Sequence, residues 1–410
     1  MGKNSALLIK NGRVIDPAKQ FDAICDVLID NGVVCAVRPH IELAARNTID
    51  ATGMWVAPGL IDLHTHLREP GLEYKETIKT GALAAVKGGF TTVCAMPNTK
   101  PVIDGVEWIR FVANRAKEAD YAHVLPIASI TRNQEGEELV DMYALKRAGA
   151  VAFSEDGKSV ASAGVMQKAL AQAAKIDMPV FDHCEEATLP GYPDAEDLII
   201  ARDMLLAESA GARLHICHLS TARGLDLVRL WKKRAGGFRL TAEVCPHHFS
   251  LCELDDTGSG NFKMNPPLRS KADMLSLADG VRHGFVDAIA TDHAPHSPQE
   301  KRQVNPPGGI VGLETALALC LETFIYSENP VAPIDLIAML TINPAKILGI
   351  KSGAISLGAQ ADICIIDPDE QWTVNPSDFV SLGKNTPYAG RVLRGVVKYT
   401  LINGEIKWRS

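Results

Sequence analysis

The segment GLIDLHTHLREPG, residues 59–71, ends an apolar run with two histidines two positions apart, His64 and His66. On extended backbone, side chains at i and i+2 share one face, so the pair offers two imidazoles to a common point. Four more ionisable residues recur at the matching place in later apolar runs: Asp156 in AVAFSED, His183 in MPVFDHC, His218 in RLHICHLS and Asp292 in VDAIATDH. A single histidine on an apolar strand is ordinarily a core residue. Imidazoles and carboxylates that recur at one end of successive strands are not explained by packing. Such a donor set suits Zn2+, ahead of Mn2+, Co2+ or Fe2+. The set exceeds what one tetrahedral zinc with an open position needs, so one or two Zn2+ per subunit, bridged by a carboxylate in the two-metal case, are expected. The chemistry indicated is that of a metal-dependent hydrolase.

Something must bring these residues together. Strand-like segments fall at 59–66, 91–98, 122–129, 150–156, 178–184, 213–220, 239–245 and 286–293. Between most of them lie helical patterns such as ETIKTGALAAVKGG, GVMQKALAQAAKI, AEDLIIARDMLLAESAG and ARGLDLVRLWKKRAGG. Near-continuous apolar strands alternating with amphipathic helices argue for parallel strands covered by helices. The pattern predicts an α/β chain with a TIM-like (β/α)8 barrel over residues 58–351, in which all the ionisable residues face the mouth at the C-terminal strand ends. An open doubly wound sheet is the alternative, but no G-x-G-x-x-G follows the first strand. The two ends of the chain read differently, as short strands with turns. Asn-Gly occurs at 11–12, 31–32 and 403–404 between apolar runs, a hairpin signal each time. Residues 1–57 and 352–410 are therefore expected to form one small β-sandwich domain.

Composition narrows the function class. Of 410 residues, 46% are hydrophobic and 22% charged, a globular balance rather than a disordered or fibrous one. The net charge of -7, with no basic run, gives nucleic acid no electrostatic footprint. No apolar stretch is long enough for a membrane helix. The opening MGKNSALLIKNGRVID lacks the pattern of a secretory leader, and its weak match to a myristoylation signal has no support elsewhere. Nine cysteines stand singly, without a C-x-x-C pair, so reduced thiols in a cytoplasmic protein are expected.

With these motifs in view, the chain resembles the type I dihydroorotases of the amidohydrolase superfamily. DLHTHLREPG, AMPNT, FSEDG, DHCEE, HICHLST, CPHH, KMNPPLR, IATDHAPH, GGIVGLET and INPAKILG occur in that family's order, and GAISLGAQADICIID is similar to its closing β segment. The likeness runs along almost the whole chain.

The resemblance implies specific roles. His64 and His66 would hold the more buried metal, with Asp292 nearby, and His183 and His218 the second. Asp156 occupies the bridging position, where related hydantoinases and allantoinases use a carboxylated lysine; Lys158 falls two residues late. Glu155 would face away from the metals. Asp292 would shuttle the proton in ring opening of dihydroorotate and in the reverse closure of carbamoyl aspartate. A guanidinium binds a carboxylate with a two-pronged fork, and Arg68 would do so at the mouth, joined by Asn98 and His296. Asn265 and the backbone at Pro307 and Gly308 would meet the ring amides. A turn role competes for Asn98, and a salt bridge to Glu69 competes for Arg68.

The remaining histidines are assigned lesser parts. His215 is expected in the core, His247 and His248 in supporting hydrogen bonds, His293 in a structural role, and His40, His123 and His283 on the surface or on helices. Two loops depart from the family pattern: the run after DHCEE is short, and HSPQEKRQVNPPGGIVGLET is atypical. Three functions compete: a dihydroorotase of pyrimidine synthesis, another cyclic amidase such as an allantoinase or hydantoinase, and a non-catalytic partner of aspartate transcarbamoylase. Arg68 and the intact ligand set favour the first. The expected partners are a small-molecule substrate and a second copy in a homodimer, with a complex with aspartate transcarbamoylase as a further option.

Overall fold

The structure is a computed structural model that describes residues 6–42, 47–234 and 239–410. The opening MGKNS and the end of the ARGLDLVRLWKKRAGG pattern lie outside the described residues.

The middle of the chain is a mixed α/β array built on parallel strands. Three of them, Leu60–Thr65, Phe90–Ala95 and His123–Pro126, form one sheet in sequence order. Six more, Ala128–Ser129, Phe153–Ser154, Pro179–Asp182, Arg213–Ile216, Arg239–Val244 and Ala288–Ile289, form a second sheet, also in sequence order. Leu60–Thr65 and Phe90–Ala95 are buried along their whole length, which is why they read as continuous apolar runs rather than alternating ones. The helices between strands begin where the sequence supplies caps: Thr77, Ser162, Thr221 and Ser270 each accept from a backbone N–H of the first turn.

The first and last of these strands are tied side by side. Thr65 pairs with His293 in a parallel bridge, and the His66 N–H donates to the His293 carbonyl at 2.8 Å. Buried Asp62 reinforces the contact by accepting from the Thr291 N–H at 3.0 Å and from Thr291 Oγ1 at 2.6 Å. The strands are shorter than their apolar runs. The 122–129 run breaks after Pro126, and the 150–156 and 286–293 runs shrink to two residues each. As a consequence His66, Asp156, His183, His218 and Asp292 lie just beyond the ladders rather than on them.

Both ends of the chain meet in an eight-stranded sheet. Its order runs Glu405–Arg409, Val392–Ile402, Ile363–Thr373, Trp55–Pro58, Leu7–Asp16, Phe21–Asp30 and Val33–Arg38, with Asn47–Asp50 on the flank of Leu7–Asp16. Asn31-Gly32 and Asn403-Gly404 are hairpin turns with positive φ at both residues (49° and 79°, 52° and 76°). Asn11-Gly12 is not a hairpin. It forms a bulge inside one strand, with Asn11 at φ 60° and a register shift between Ile9 and Gly12. The bulge lets the strand change neighbours, pairing first with Asn47–Asp50 and then with Trp55–Val56. A side chain at Gly12 would place its Cβ 2.4 Å from Val56, so the Asn-Gly pair answers to close packing.

The segment between strands 363–373 and 392–402 leaves the sheet. Phe379 and Tyr388 pack with Leu251, Met264, Ile310 and Val311 of the α/β region, and this brings residues 379–388 alongside the loops at the strand ends.

Candidate metal centre and substrate cavity

The chain leaves the strands with unusual backbone at three of the expected positions. Arg68, His218 and Asp292 have φ of 62°, 32° and 46°. Left-handed backbone at a non-glycine residue costs roughly 1–3 kcal/mol and persists where the surroundings enforce it, typically at functional sites. At the cavity it swings each side chain from the strand direction into a shared space. That space, about 220 Å³, is lined by His66, Arg68, Asn98, Asp156, His183, His218, Asn265, Asp292, His296 and Gly308. His64 lies behind it, fully buried.

The carboxylates sit between the imidazoles. Asp156 Oδ1 is 3.2 Å from His64 Nε2, 3.4 Å from His218 Nε2 and 3.5 Å from His183 Nδ1, while its Oδ2 is 3.4 Å from His66 Nε2. Asp292 Oδ1 stands 3.1 Å from His66 Nε2 and 3.7 Å from His64 Nε2. Two sets, His64–His66–Asp292 and His64–Asp156–His218, each bring their ligand atoms within 4.8 Å of one another.

These groups fit a divalent metal by an independent sign. His64 Nε2 is buried and has no hydrogen-bond partner among the described residues, although it points at two carboxylates. Its other nitrogen, Nδ1, lies 3.1 Å from Glu243 Oε1, which fixes the proton there and leaves Nε2 as a free lone pair. The electrostatics agree. Burial opposes charge on His64, yet Asp156 and Glu243 overcome it and raise its pKa well above normal. Burial also works against an ionised Asp156, but His64, His183 and His218 hold its carboxyl far below the usual range. Asp292 is likewise lowered, by His66 and His64 against the opposing burial. A field that holds protons on buried imidazoles is one that a cation satisfies while leaving them neutral.

Other side chains aim the cluster. His215 was expected in the core, and it is fully buried against Phe181 at 4.6 Å, but it also serves the site: its Nε2 is 3.0 Å from Glu243 Oε2. Asn98 Oδ1 lies 2.9 Å from His66 Nδ1, so its side chain orients a histidine besides facing the cavity. Glu185, two residues after His183, stands 3.1 Å from His183 Nε2 and accepts from Asn265 Nδ2 at 3.1 Å. Glu155 faces away, accepting from the backbone of Ile130 and Thr131, both at 3.1 Å. Lys158 is exposed. His248 Nε2 bonds the Pro266 carbonyl at 3.0 Å, whereas buried His247 Nε2 has no partner among the described residues. His293 stands 3.4 Å from buried Glu76, His123 contacts Asp362 at 3.1 Å, and His40 and His283 are exposed.

Arg68 occupies the far wall. Its Nε donates to the Pro295 carbonyl at 3.2 Å, and Nη2 lies 3.3 Å from His296 Nε2. Glu69 is not its partner, because that carboxylate binds Arg115 at 2.6 Å. Among the described residues no carboxylate forms an ion pair with Arg68, and burial pulls the guanidinium down to about 10. His296 is held neutral, its pKa lowered to about 3 by burial and by Arg68 and Lys75. Pro307 stands one step behind the cavity, its carbonyl accepting from Lys301 at 2.9 Å, while Gly308 reaches the lining.

The comparisons with known proteins follow this geometry. A family model described as "Dihydro-orotase-like" matches residues 53–192. The dihydroorotase of Syntrophus aciditrophicus (strain SB) is 44% identical, over 98% of this chain and 99% of that one. The chain belongs to the dihydroorotase family. Family members from Geobacillus sp. (strain WCH70), 45% identical with 99% of each chain covered, and Aquifex aeolicus (strain VF5), 41% identical with 98% and 99% covered, agree. Among solved structures, the L-hydantoinase (dihydropyrimidinase) from Arthrobacter aurescens superposes with a TM-score of 0.89 at 24% identity, over 98% of this chain and 95% of that one. A D-hydantoinase from Thermus sp. superposes at 0.86 with 23% identity, over 98% and 96%. These likenesses show a shared fold, and the dihydroorotase family is a metal-dependent cyclic amidohydrolase family.

Proposed function

We propose that this chain is a zinc-dependent dihydroorotase that interconverts N-carbamoyl-L-aspartate and L-dihydroorotate in de novo pyrimidine biosynthesis. The observation that carries the substrate assignment is Arg68: a buried guanidinium at the cavity wall that forms no direct ion pair with a carboxylate among the described residues. A buried charge left unpaired is costly, and a ligand carboxylate removes that cost. Dihydroorotate carries such a group; hydantoin and allantoin do not.

In this reading His64, His66, Asp156, His183, His218 and Asp292 are the residues that would hold the zinc, whether one ion or two. Bound metal supplies Lewis-acid activation of water and of the ring carbonyl. Asp292, kept ionised by its histidine neighbours, takes the proton from the attacking water and passes it to the departing ring nitrogen, and runs in reverse during cyclisation. Arg68 grips the substrate carboxylate with Asn98, while neutral His296 completes that wall. Asn265 and the backbone at Gly308, supported by Pro307, face the ring amides.

The wider organisation belongs to the same proposal. Residues 58–351 form a closed (β/α)8 barrel, an arrangement supported by the Thr65–His293 bridge and by the Val151 N–H donating to Pro126 O, which ties the end of the strand His123–Pro126 in one sheet to the approach to Phe153–Ser154 in the other. Residues 1–57 and 352–410 form the β-sandwich domain. The protein acts in the cytoplasm as a homodimer, with association with aspartate transcarbamoylase as an additional assembly.

The test is ring opening of dihydroorotate, hydantoin and allantoin by one preparation whose metal content is measured in parallel. Turnover of dihydroorotate alone is expected, and metal-replete protein inert toward it would end the proposal.

A further inference from the structure

The loop 296–309 borders the cavity and contains a buried lysine that neither the metal centre nor the carboxylate wall uses. Lys301 closes a one-turn helix, Pro298–Lys301, that Ser297 caps together with Glu300. It is 6% exposed. Its ammonium donates to three main-chain carbonyls: Lys263 at 3.0 Å, Pro307 at 2.9 Å and Gly309 at 2.9 Å. An ammonium has three N–H donors, so every one is spent on backbone. Two of the three carbonyls flank Gly308, whose own carbonyl lies 2.8 Å from His296 Nε2. Among the described residues nothing accepts from the Gly308 N–H, which leaves that donor available at the cavity edge. The tip of the loop, by contrast, stands in solvent: Val304 is 97% exposed.

We propose that Lys301 is a positioning residue which, by gathering the carbonyls of Lys263, Pro307 and Gly309 onto one ammonium, sets the Gly308 edge of the cavity and thereby substrate affinity rather than turnover. The inference rests on Gly308 facing the substrate, as proposed above. The charged and titratable groups around Lys301 are Glu300 on its own helix, Lys263 from the preceding loop, Arg68 across the cavity, and His296 with its neighbour Lys75. Burial, with Lys263 and Arg68, lowers the Lys301 pKa to about 8 against the opposing pull of Glu300. A neutral amine keeps two donors for three carbonyls. The competent form is the protonated one, present below that value and lost as pH rises through it.

The experiment is a pH series of KM and kcat for dihydroorotate on the metal-replete full chain, comparing wild type, Lys301→Met and Lys301→Arg. In wild type KM is expected to climb as pH passes about 8. In Lys301→Met, KM should rise at least tenfold at pH 7, kcat should stay within threefold, and the alkaline climb should vanish. Unchanged KM, or a fall in kcat alone, overturns the proposal. Should Lys301→Met fail to fold, Lys301→Arg decides: a climb displaced to higher pH supports the role, and one still near 8 overturns it. Amide exchange separates this outcome from the reading beneath it. If dihydroorotate does not protect the amides of residues 308–310 in wild type, the substrate-facing role of Gly308 fails; if it does while the variants bind normally, only the role of Lys301 fails.

Discussion

Glu243 joins two histidines with its two oxygens: Oε1 lies 3.1 Å from His64 Nδ1 and Oε2 lies 3.0 Å from His215 Nε2. His215 Nδ1 is in turn 2.8 Å from Thr241 Oγ1, so a chain of side chains runs from the half-buried Thr241 of the strand Arg239–Val244 to the innermost imidazole. Carboxylates behind metal-binding histidines fix the tautomer and raise basicity, and their loss costs about 10- to 100-fold in metal affinity. Glu243→Gln should therefore weaken metal binding by about that factor, measured by competition against a chelator. Affinity equal to wild type would show that His64 needs no such support.

Arg68→Ala should raise KM for dihydroorotate while leaving metal content unchanged. Losing a charge-assisted fork to a carboxylate costs about 2–4 kcal/mol, or roughly 30- to 1,000-fold. Arg68→Lys keeps the charge without the planar fork and should fall between. Steady-state kinetics with metal analysis of the same samples checks both; metal loss in either variant would contradict the assigned role.

Asp292→Asn removes the proton acceptor but keeps the size of the side chain. Turnover should drop about 10²- to 10⁴-fold, the usual contribution of general acid–base catalysis. The comparison is made at equal metal occupancy, since Asp292 also belongs to the donor set. A near-normal kcat would exclude it as the proton shuttle.

Acid should destabilise the fold partly through buried neutral histidines. Burial lowers His247 to about 4, and burial with Arg68 and Lys75 lowers His296 to about 3. An unfolded chain protonates both near 6.5. Stability from these groups is thus complete above that pH and declines as pH falls toward their folded values. Each such proton contributes at most about 1.4 kcal/mol per pH unit. Denaturant titrations between pH 4 and 7 should show a shallower slope for His247→Gln than for wild type; an identical slope would remove His247 from this account.

Much of the cavity was legible in the primary structure because its signals are local. The two-residue spacing in HTH brings both imidazoles to one face, and the rings of His64 and His66 indeed sit 5.3 Å apart. The recurrence of Asp156, His183, His218 and Asp292 at the ends of apolar runs marked other groups that the fold brings to the same cavity. Glu243 also left a trace, a carboxylate within the apolar run RLTAEVC, and Glu185 follows His183 at the same spacing as the HTH pair. Both signals lie in the sequence near the ends of apolar runs.

Other features have no local signature. The Asn-Gly at 11–12 carries the same two letters as a hairpin, and only the closeness of Val56 makes it a bulge. Asn385 lies far along the chain, yet its Nδ2 donates to Ala294 O at 3.1 Å and Gly309 O at 3.0 Å, and its Oδ1 accepts from the His296 N–H at 3.0 Å. Lys301 reads in sequence as one more surface lysine of a polar loop. The amino-acid sequence by itself determined which groups could bind metal and that parallel strands would carry them, because both follow from residue type and period. Tertiary structure alone decided which side chains share a buried space: the left-handed turns at Arg68, His218 and Asp292, and carbonyls gathered onto one ammonium, depend on contacts between segments that sequence spacing does not encode.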